Sequence, residues 1–211
     1  MKIKVCGMKY KDNILSVASL QPDYMGFIFY ERSKRHYEGD IPRLSPSIKK
    51  TGVFVNSSIS EIISKVKKYD LKAVQLHGDE TVSFCKELKK NMGSAIELIK
   101  AFSISEEFKF DELSSYQEAC DYYLYDTKGK DRGGNGSLFN WKLLNNIHHH
   151  KMFFLSGGIG LEELKMANEF LQTEAGQYCY AIDLNSKFES EPGLKKTEQL
   201  EAFFKQIEKQ N

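Results

Sequence analysis

The 211 residues carry 30 basic and 29 acidic side chains, a formal net charge of +1 and 41% hydrophobic residues, a balance expected of one soluble globular domain with a real core. Near neutrality supplies no global field for nucleic acid or an anionic membrane, so any anionic ligand must be met by local groups. The longest apolar runs, such as residues 152–155, fall far short of a bilayer span, and the start lacks the apolar stretch of a secretory signal, so a cytoplasmic protein is expected.

In chain order, eight short β-like runs are predicted over residues 3–7, 24–29, 51–56, 72–78, 95–102, 122–127, 152–158 and 180–186. Helix-like stretches fall between them. Residues 57–69 open on serine caps, and in 79–91 Val82, Cys85 and Leu88 recur at helical spacing. An eightfold βα alternation without a linker or a composition break points to a single (β/α)8 TIM barrel of eight parallel strands over residues 1–211, with a doubly wound open sheet as the alternative. Cys6, Cys85, Cys120 and Cys179 are scattered, with no Cys-x-x-Cys and no histidine at zinc spacing. Reduced thiols are expected, with neither a disulfide frame nor a metal site.

In a barrel of this kind the loops after the strands converge on one mouth, and the run ends are rich in chemistry. Cys6 and Gly7 follow the first run, Arg35 and His36 the second, His77 the fourth, Asp126 ends the sixth, and Gly157, Gly158 and Ile159 follow the seventh. A free cysteine is most often a packing residue, and Asp126 before Thr127 also suits a turn carboxylate. The glycines after the seventh run suit either a tight βα turn or an anion held on backbone amides, and the loops after strands 7 and 8 are where barrels often hold phosphate. By alternation, His77 shares a face with Gln75 and reads as a hydrogen-bonded histidine near the mouth. The same alternation puts Lys4 one layer below Cys6, inside the barrel. A buried ammonium needs a partner, and Asp183 on the neighbouring eighth strand is the candidate. Such a cation is expected to favour the Cys6 thiolate. Residues 126–136 read as a glycine-rich loop able to cover a ligand, and His148, His149 and His150 fall before strand 7, away from the mouth.

The stretches KVCGM (4–8), GFIFYERSKRHY (26–37), GVFVN (52–56), AVQLHGDE (73–80), the run from Tyr123 to Trp141, FLSGGIG (154–160) and AIDLNSKFESEPGLKK (181–196) resemble the successive motifs of the phosphoribosylanthranilate isomerase family. The resemblance implies an aldose–ketose isomerase of tryptophan biosynthesis, acting on a small sugar-phosphate substrate with no cofactor and no metal. It implies Cys6 as general base, Asp126 as general acid and Arg35 as the reader of the anthranilate carboxylate, a role suited to a planar guanidinium fork. Phosphate would be held by Gly157, Gly158, Ile159, Asn185 and Ser186, with Lys4, His77 and Asp183 in support. The chain departs from the family's usual Ser-Gly pair after strand 8, having Asn185, Ser186, Lys187 and Phe188, and has Asn140 where the family tends to have aspartate. Neither nucleic acid nor membrane is expected as a partner, and association with another enzyme of the pathway is not readable. The alternatives are another sugar-phosphate enzyme on the same barrel, or a non-catalytic barrel with Cys6 as an oxidisable thiol.

Overall fold

The computed structural model describes residues 1–127, 141–146 and 151–208. Eight parallel strands close into a barrel in sequential order: β1 (Lys2–Val5), β2 (Tyr24–Ile28), β3 (Lys49–Phe54), β4 (Ala73–Leu76), β5 (Glu97–Ile104), β6 (Tyr122–Thr127), β7 (Phe153–Leu155) and β8 (Cys179–Leu184). The ring is completed by β1 on β8, with Lys2 opposite Ala181, Lys4 opposite Asp183 and Val5 opposite Leu184. That pairing excludes the open sheet.

Helices α1 (Lys11–Ala18), α2 (Ile59–Tyr69), α3 (Val82–Met92), α4 (Leu164–Leu171) and α5 (Thr197–Glu208) cover the outside. The serine caps before α2 are real: Ser58 Oγ accepts from the Glu61 N–H at 3.2 Å, and Thr81 does the same for Phe84 at the start of α3. Asp70 closes α2 in the left-handed region at φ 51°. The alternation is less regular than the sequence suggests. No helix joins β2 to β3, and 3-10 turns at Phe110–Tyr116 and Trp141–Asn146 lie in the connections on either side of β6. After β8 comes an unpredicted hairpin, β9 (Glu189–Glu191) with β10 (Leu194–Lys195).

Inside the ring, the buried side chains of Tyr24, Ala73, Ile99, Leu124, Phe154 and Ala181 form an apolar disc. Tyr24 meets Phe154 edge to face at 5.2 Å, and Tyr122 stacks on Tyr180 at 4.6 Å. On the N-terminal side of the strands, Lys49 Nζ lies 2.5 Å from Glu97 Oε1, and the Tyr24 hydroxyl donates to Glu97 Oε2 at 2.9 Å. On the opposite side the interior turns polar: Lys4 Nζ donates to Asp183 Oδ2 at 2.8 Å and to Gln75 Oε1 at 2.7 Å. The Lys4 side chain has no solvent exposure and that of Asp183 has 5%. The pair thus locks the first strand to the last.

Removing one partner of a buried ion pair strands the other charge without water. Lys4→Met is expected to lower stability by about 3–5 kcal/mol in urea unfolding followed by circular dichroism. The double variant Lys4→Met/Asp183→Leu should regain much of that loss, since no charge is left stranded. A single-variant loss below about 1 kcal/mol, the scale of an exposed pair, would show that closure does not depend on it.

Candidate active site

Cys6 follows β1 directly, and its N–H donates to the Leu184 carbonyl at 2.8 Å, carrying the β1–β8 ladder past the strand end. The residue is 4% exposed. Space for the thiol is made by β2. A Cβ on Gly26 would stand 2.7 Å from Cys6 Sγ and 3.1 Å from Cys6 Cα, so this glycine, which sequence reasoning passed over as a strand residue, shapes the pocket of the sulfur. Gly7 is required twice over: its φ is +76°, and a Cβ there would meet Arg35 Cδ at 2.7 Å and Asn185 Oδ1 at 2.8 Å.

Alternation places Lys4 beneath Cys6, and the charges act in both directions. Burial opposes the Lys4 ammonium, but Asp183 and Cys6 outweigh it and lift the lysine above its ordinary value. For Cys6 the expected lowering does not occur. Burial pushes the thiol up, Lys4 and Lys195 pull it back, and Asp183 cancels part of their pull. Desolvation of the thiolate wins over a cation that is already paired. The other three cysteines are buried too, Cys85 pushed up to about 11 and Cys120 and Cys179 to about 12, chiefly by burial, as befits packing thiols.

Asp126, on β6, is 8% exposed at the mouth. His77 Nε2 lies 3.3 Å from Asp126 Oδ2, and His77 Nδ1 is 2.8 Å from Gln75 Nε2. Gln75 in turn meets Lys4, so β1, β4, β6 and β8 are joined by one polar chain across the barrel. The loop carrying His77 is braced by a second buried pair. Lys100 on β5 donates to Glu80 Oε2 at 3.1 Å and to the Gly78 carbonyl at 2.9 Å, while Glu80 Oε1 accepts from the Asn56 and Gly78 N–H groups. Glu80 and Lys100 were not singled out from sequence. Their only signal is a lysine inside an apolar strand run and a glutamate three residues beyond the histidine.

Arg35 lies on the helix-free connection after β2. Its turn is held by the Arg35 N–H donating to Ser33 Oγ at 3.1 Å and by buried Tyr37, which packs edge-on to Phe27 at 5.0 Å. One side of the guanidinium is already committed. Nε and Nη2 donate to the Glu189 carboxylate at 2.9 and 2.6 Å, with Glu189 also receiving Lys195 Nζ at 2.6 Å. The edge formed by Nη1 and the second Nη2 proton remains for another carboxylate. The unpredicted hairpin therefore orients the predicted reader. Burial opposes the charge on Glu189, but Arg35 and Lys195 outweigh it and hold its carboxyl below the usual glutamate value.

A match to the family described as N-(5'phosphoribosyl)anthranilate (PRA) isomerase spans residues 3–206. The chain belongs to that family. An N-(5'-phosphoribosyl)anthranilate isomerase of Parabacteroides distasonis is 42% identical, with 98% of this chain and 93% of that protein covered. A crystal structure of a phosphoribosyl anthranilate isomerase in complex with reduced 1-(o-carboxyphenylamino)-1-deoxyribulose 5-phosphate superposes with a TM-score of 0.79 at 27% identity, covering 99% of each chain. The tryptophan biosynthesis protein TrpCF of Vibrio cholerae is 33% identical over 97% of this chain, which spans 41% of that longer protein.

Where this isomerase departs from its family's usual pattern, after β8, the side chains turn in different directions. Asn185 Oδ1 accepts from Lys195 Nζ at 2.7 Å, so the side chain expected at the phosphate belongs instead to the Arg35–Glu189–Lys195 cluster. Ser186 opens a 3-10 turn, Ser186–Phe188. The loop after β7 faces it: Gly157 and Gly158 adopt φ of +95° and +72°, Ile159 is buried, and the Cβ of Lys187 would lie 3.2 Å from one built on Gly160. Lys187 Nζ is 3.4 Å from Glu163 Oε1, at the start of α4. Glu163 Oε2 has no hydrogen-bond partner among the described residues. Among the same residues no group of histidine, cysteine and acidic side chains could hold a metal ion, and no helix is long and apolar enough to cross a membrane. Of the expected loop at 126–136, Asp126 and Thr127 end β6, while residues 128–136, Asn140 and the histidines at 148–150 lie outside the described residues.

Two outcomes follow from this geometry. Gly26→Ala is expected to lower kcat/KM about a hundredfold, the scale of misplacing a reacting group by about an ångström, with the fold retained by circular dichroism. Full activity in the folded variant would show that the thiol need not occupy this pocket. For Glu189 the lowered carboxyl means stabilisation that is present above the unfolded glutamate value and is lost as pH falls through the folded one. Urea unfolding should therefore show Glu189→Gln less stable than wild type at neutral pH, with the gap closing in strong acid. A gap that persists unchanged in acid would contradict a charge-based role.

Proposed function

We propose that this chain catalyses the Amadori rearrangement of N-(5-phosphoribosyl)anthranilate to 1-(2-carboxyphenylamino)-1-deoxyribulose 5-phosphate, with Asp126 as general acid and Cys6 as general base. The reaction begins when a proton reaches the furanose ring oxygen, the C1–O bond breaks and the anilino nitrogen's electron pair forms a C1=N iminium. A base then takes the proton from C2, and those electrons make the C1=C2 enolamine. Ketonisation at C2 with protonation at C1 completes an isomerisation that needs no external oxidant or reductant.

The observation that carries this reading is the presence at one mouth of a buried thiol just after β1 and a buried carboxyl on β6, with β8 and β7 between those strands in the ring. Such an acid and base can address a bound sugar from two sides. Arg35 offers its remaining edge to the substrate carboxylate, and the two loops around Gly157, Gly158 and Ser186 offer backbone to the phosphate, with the Lys187 ammonium beside them. The raised thiol argues against the alternative of Cys6 as a redox sensor, since easily oxidised cysteines are exposed and low in pKa.

The test is loss of phosphoribosylanthranilate fluorescence on adding the protein. Asp126→Asn keeps the size of the side chain but cannot deliver the proton, and turnover is expected to fall on the order of a hundredfold or more. Near wild-type turnover in the folded variant would exclude Asp126 as the acid, and no turnover by the wild-type protein would exclude the reaction.

A further inference from the structure

We infer that Lys4 and Gln75 orient His77 through a one-way hydrogen-bond chain, which fixes its Nε2–H tautomer and sets that N–H beside Asp126 as the positioning residue for the proton-donating carboxyl. The positioning role rests on the reading of Asp126 as general acid; the tautomer does not.

The argument starts from what each atom is able to do. An ammonium only donates, and Lys4 Nζ lies 2.7 Å from Gln75 and 2.8 Å from Asp183 Oδ2. The atom that Gln75 turns to it must therefore be the amide oxygen. This orients the whole amide, leaving Nε2, which only donates, 2.8 Å from His77 Nδ1. A donor facing Nδ1 requires that nitrogen to be the acceptor, without a proton. The single proton of the neutral imidazole then sits on Nε2, across 3.3 Å from Asp126 Oδ2. The two hydrogen bonds run in one direction, and reversing either of them would set two donors face to face.

The parts of this relay are poorly placed to rearrange. Gln75 is 1% exposed and Lys4 has no exposure, so water does not substitute for either partner. The backbone of His77 is tied to β3 through its N–H, which donates to the Phe54 carbonyl at 2.8 Å. The Lys100–Glu80 pair holds the following loop. When a proton leaves Asp126 for the ring oxygen, the negative charge that forms on the carboxylate has the His77 Nε2–H already within 3.3 Å of Oδ2. The same Lys4 acts on the Cys6 thiol, so one ammonium stands behind both the acid and the base. Replacing Gln75 disconnects it from the acid alone.

The experiment is nitrogen NMR of protein labelled with 15N-histidine, the His77 signals being assigned among the five histidines by their absence in His77→Gln. The expected wild-type spectrum has a pyridine-type, unprotonated Nδ1 and a protonated Nε2. In Gln75→Glu a carboxylate faces the ring, and Nδ1 is expected to take up the signature of a protonated nitrogen, with kcat falling at least tenfold while KM stays within about threefold. An Nδ1–H tautomer in the wild-type protein overturns the relay and leaves the assignment of Asp126 untouched. An unchanged ring spectrum in folded Gln75→Glu also overturns it; should that variant fail to fold, the wild-type spectrum alone decides. Conversely, full turnover by Asp126→Asn overturns the positioning role while the tautomer stands.

Discussion

The contact between Lys4 and Asp183 is the constraint around which the rest of the barrel is arranged. Two charges removed from water are costly, and each offsets part of what the other has lost; Asp183 Oδ1 has no hydrogen-bond partner among the described residues. Here the ammonium has a carboxylate and an amide oxygen. That requirement sets the register of β1 on β8, since a slip of one residue would turn Lys4 to the outside and Cys6 away from the mouth. It also divides the interior. On one side of the pair lies the disc of aromatic and small apolar side chains, and on the other the polar groups of the mouth, Cys6, His77 and Asp126.

A barrel divided in this way separates stability from chemistry without separating them in sequence. On two strands an apolar residue of the packing is followed two positions on by an inward polar group: Leu124 and Asp126 on β6, Ala181 and Asp183 on β8. The short distance between these tasks explains why the site is rigid where it must be. Cys6 and Asp126 ride on ladder hydrogen bonds, and His77 on a loop clamped by Glu80 and Lys100. Arg35, by contrast, sits on a connection with no helix of its own and borrows its support from the far end of the chain.

Much of this was legible before any coordinates. The eight β-like runs all become strands, because a strand buried on both faces leaves an apolar signature too dense to miss, and the Lys4–Asp183 pair follows from alternation plus ring closure. What alternation cannot convey is which atoms are already taken. Arg35 looks like a free fork in sequence, and only the fold brings Glu189 to it from 154 residues away. Asn185 sits at the expected loop, yet its side chain answers to Lys195. Gly26 is silent as a letter in a strand, since the need for it arises from the sulfur on a neighbouring strand. The thiol's acidity escapes the sequence for a related reason: spacing identifies the nearby cation, whereas burial and the counter-charge of Asp183 depend on the whole packed interior.

The bond between Arg35 and Glu189 has a consequence for how such a barrel acquires a new substrate. A recognition residue on an unsupported loop would ordinarily be the simplest part to exchange, because the ring beneath it does not depend on it. In this molecule replacing Arg35 by a neutral side chain also takes two hydrogen-bond donors and one counter-charge from the mostly buried Glu189 carboxylate, which keeps Lys195. Single exchanges at this position therefore change the Glu189–Lys195 pair as well as the edge offered to a ligand. A library that varies Arg35 and Glu189 together would reach specificities that one-site variation conceals.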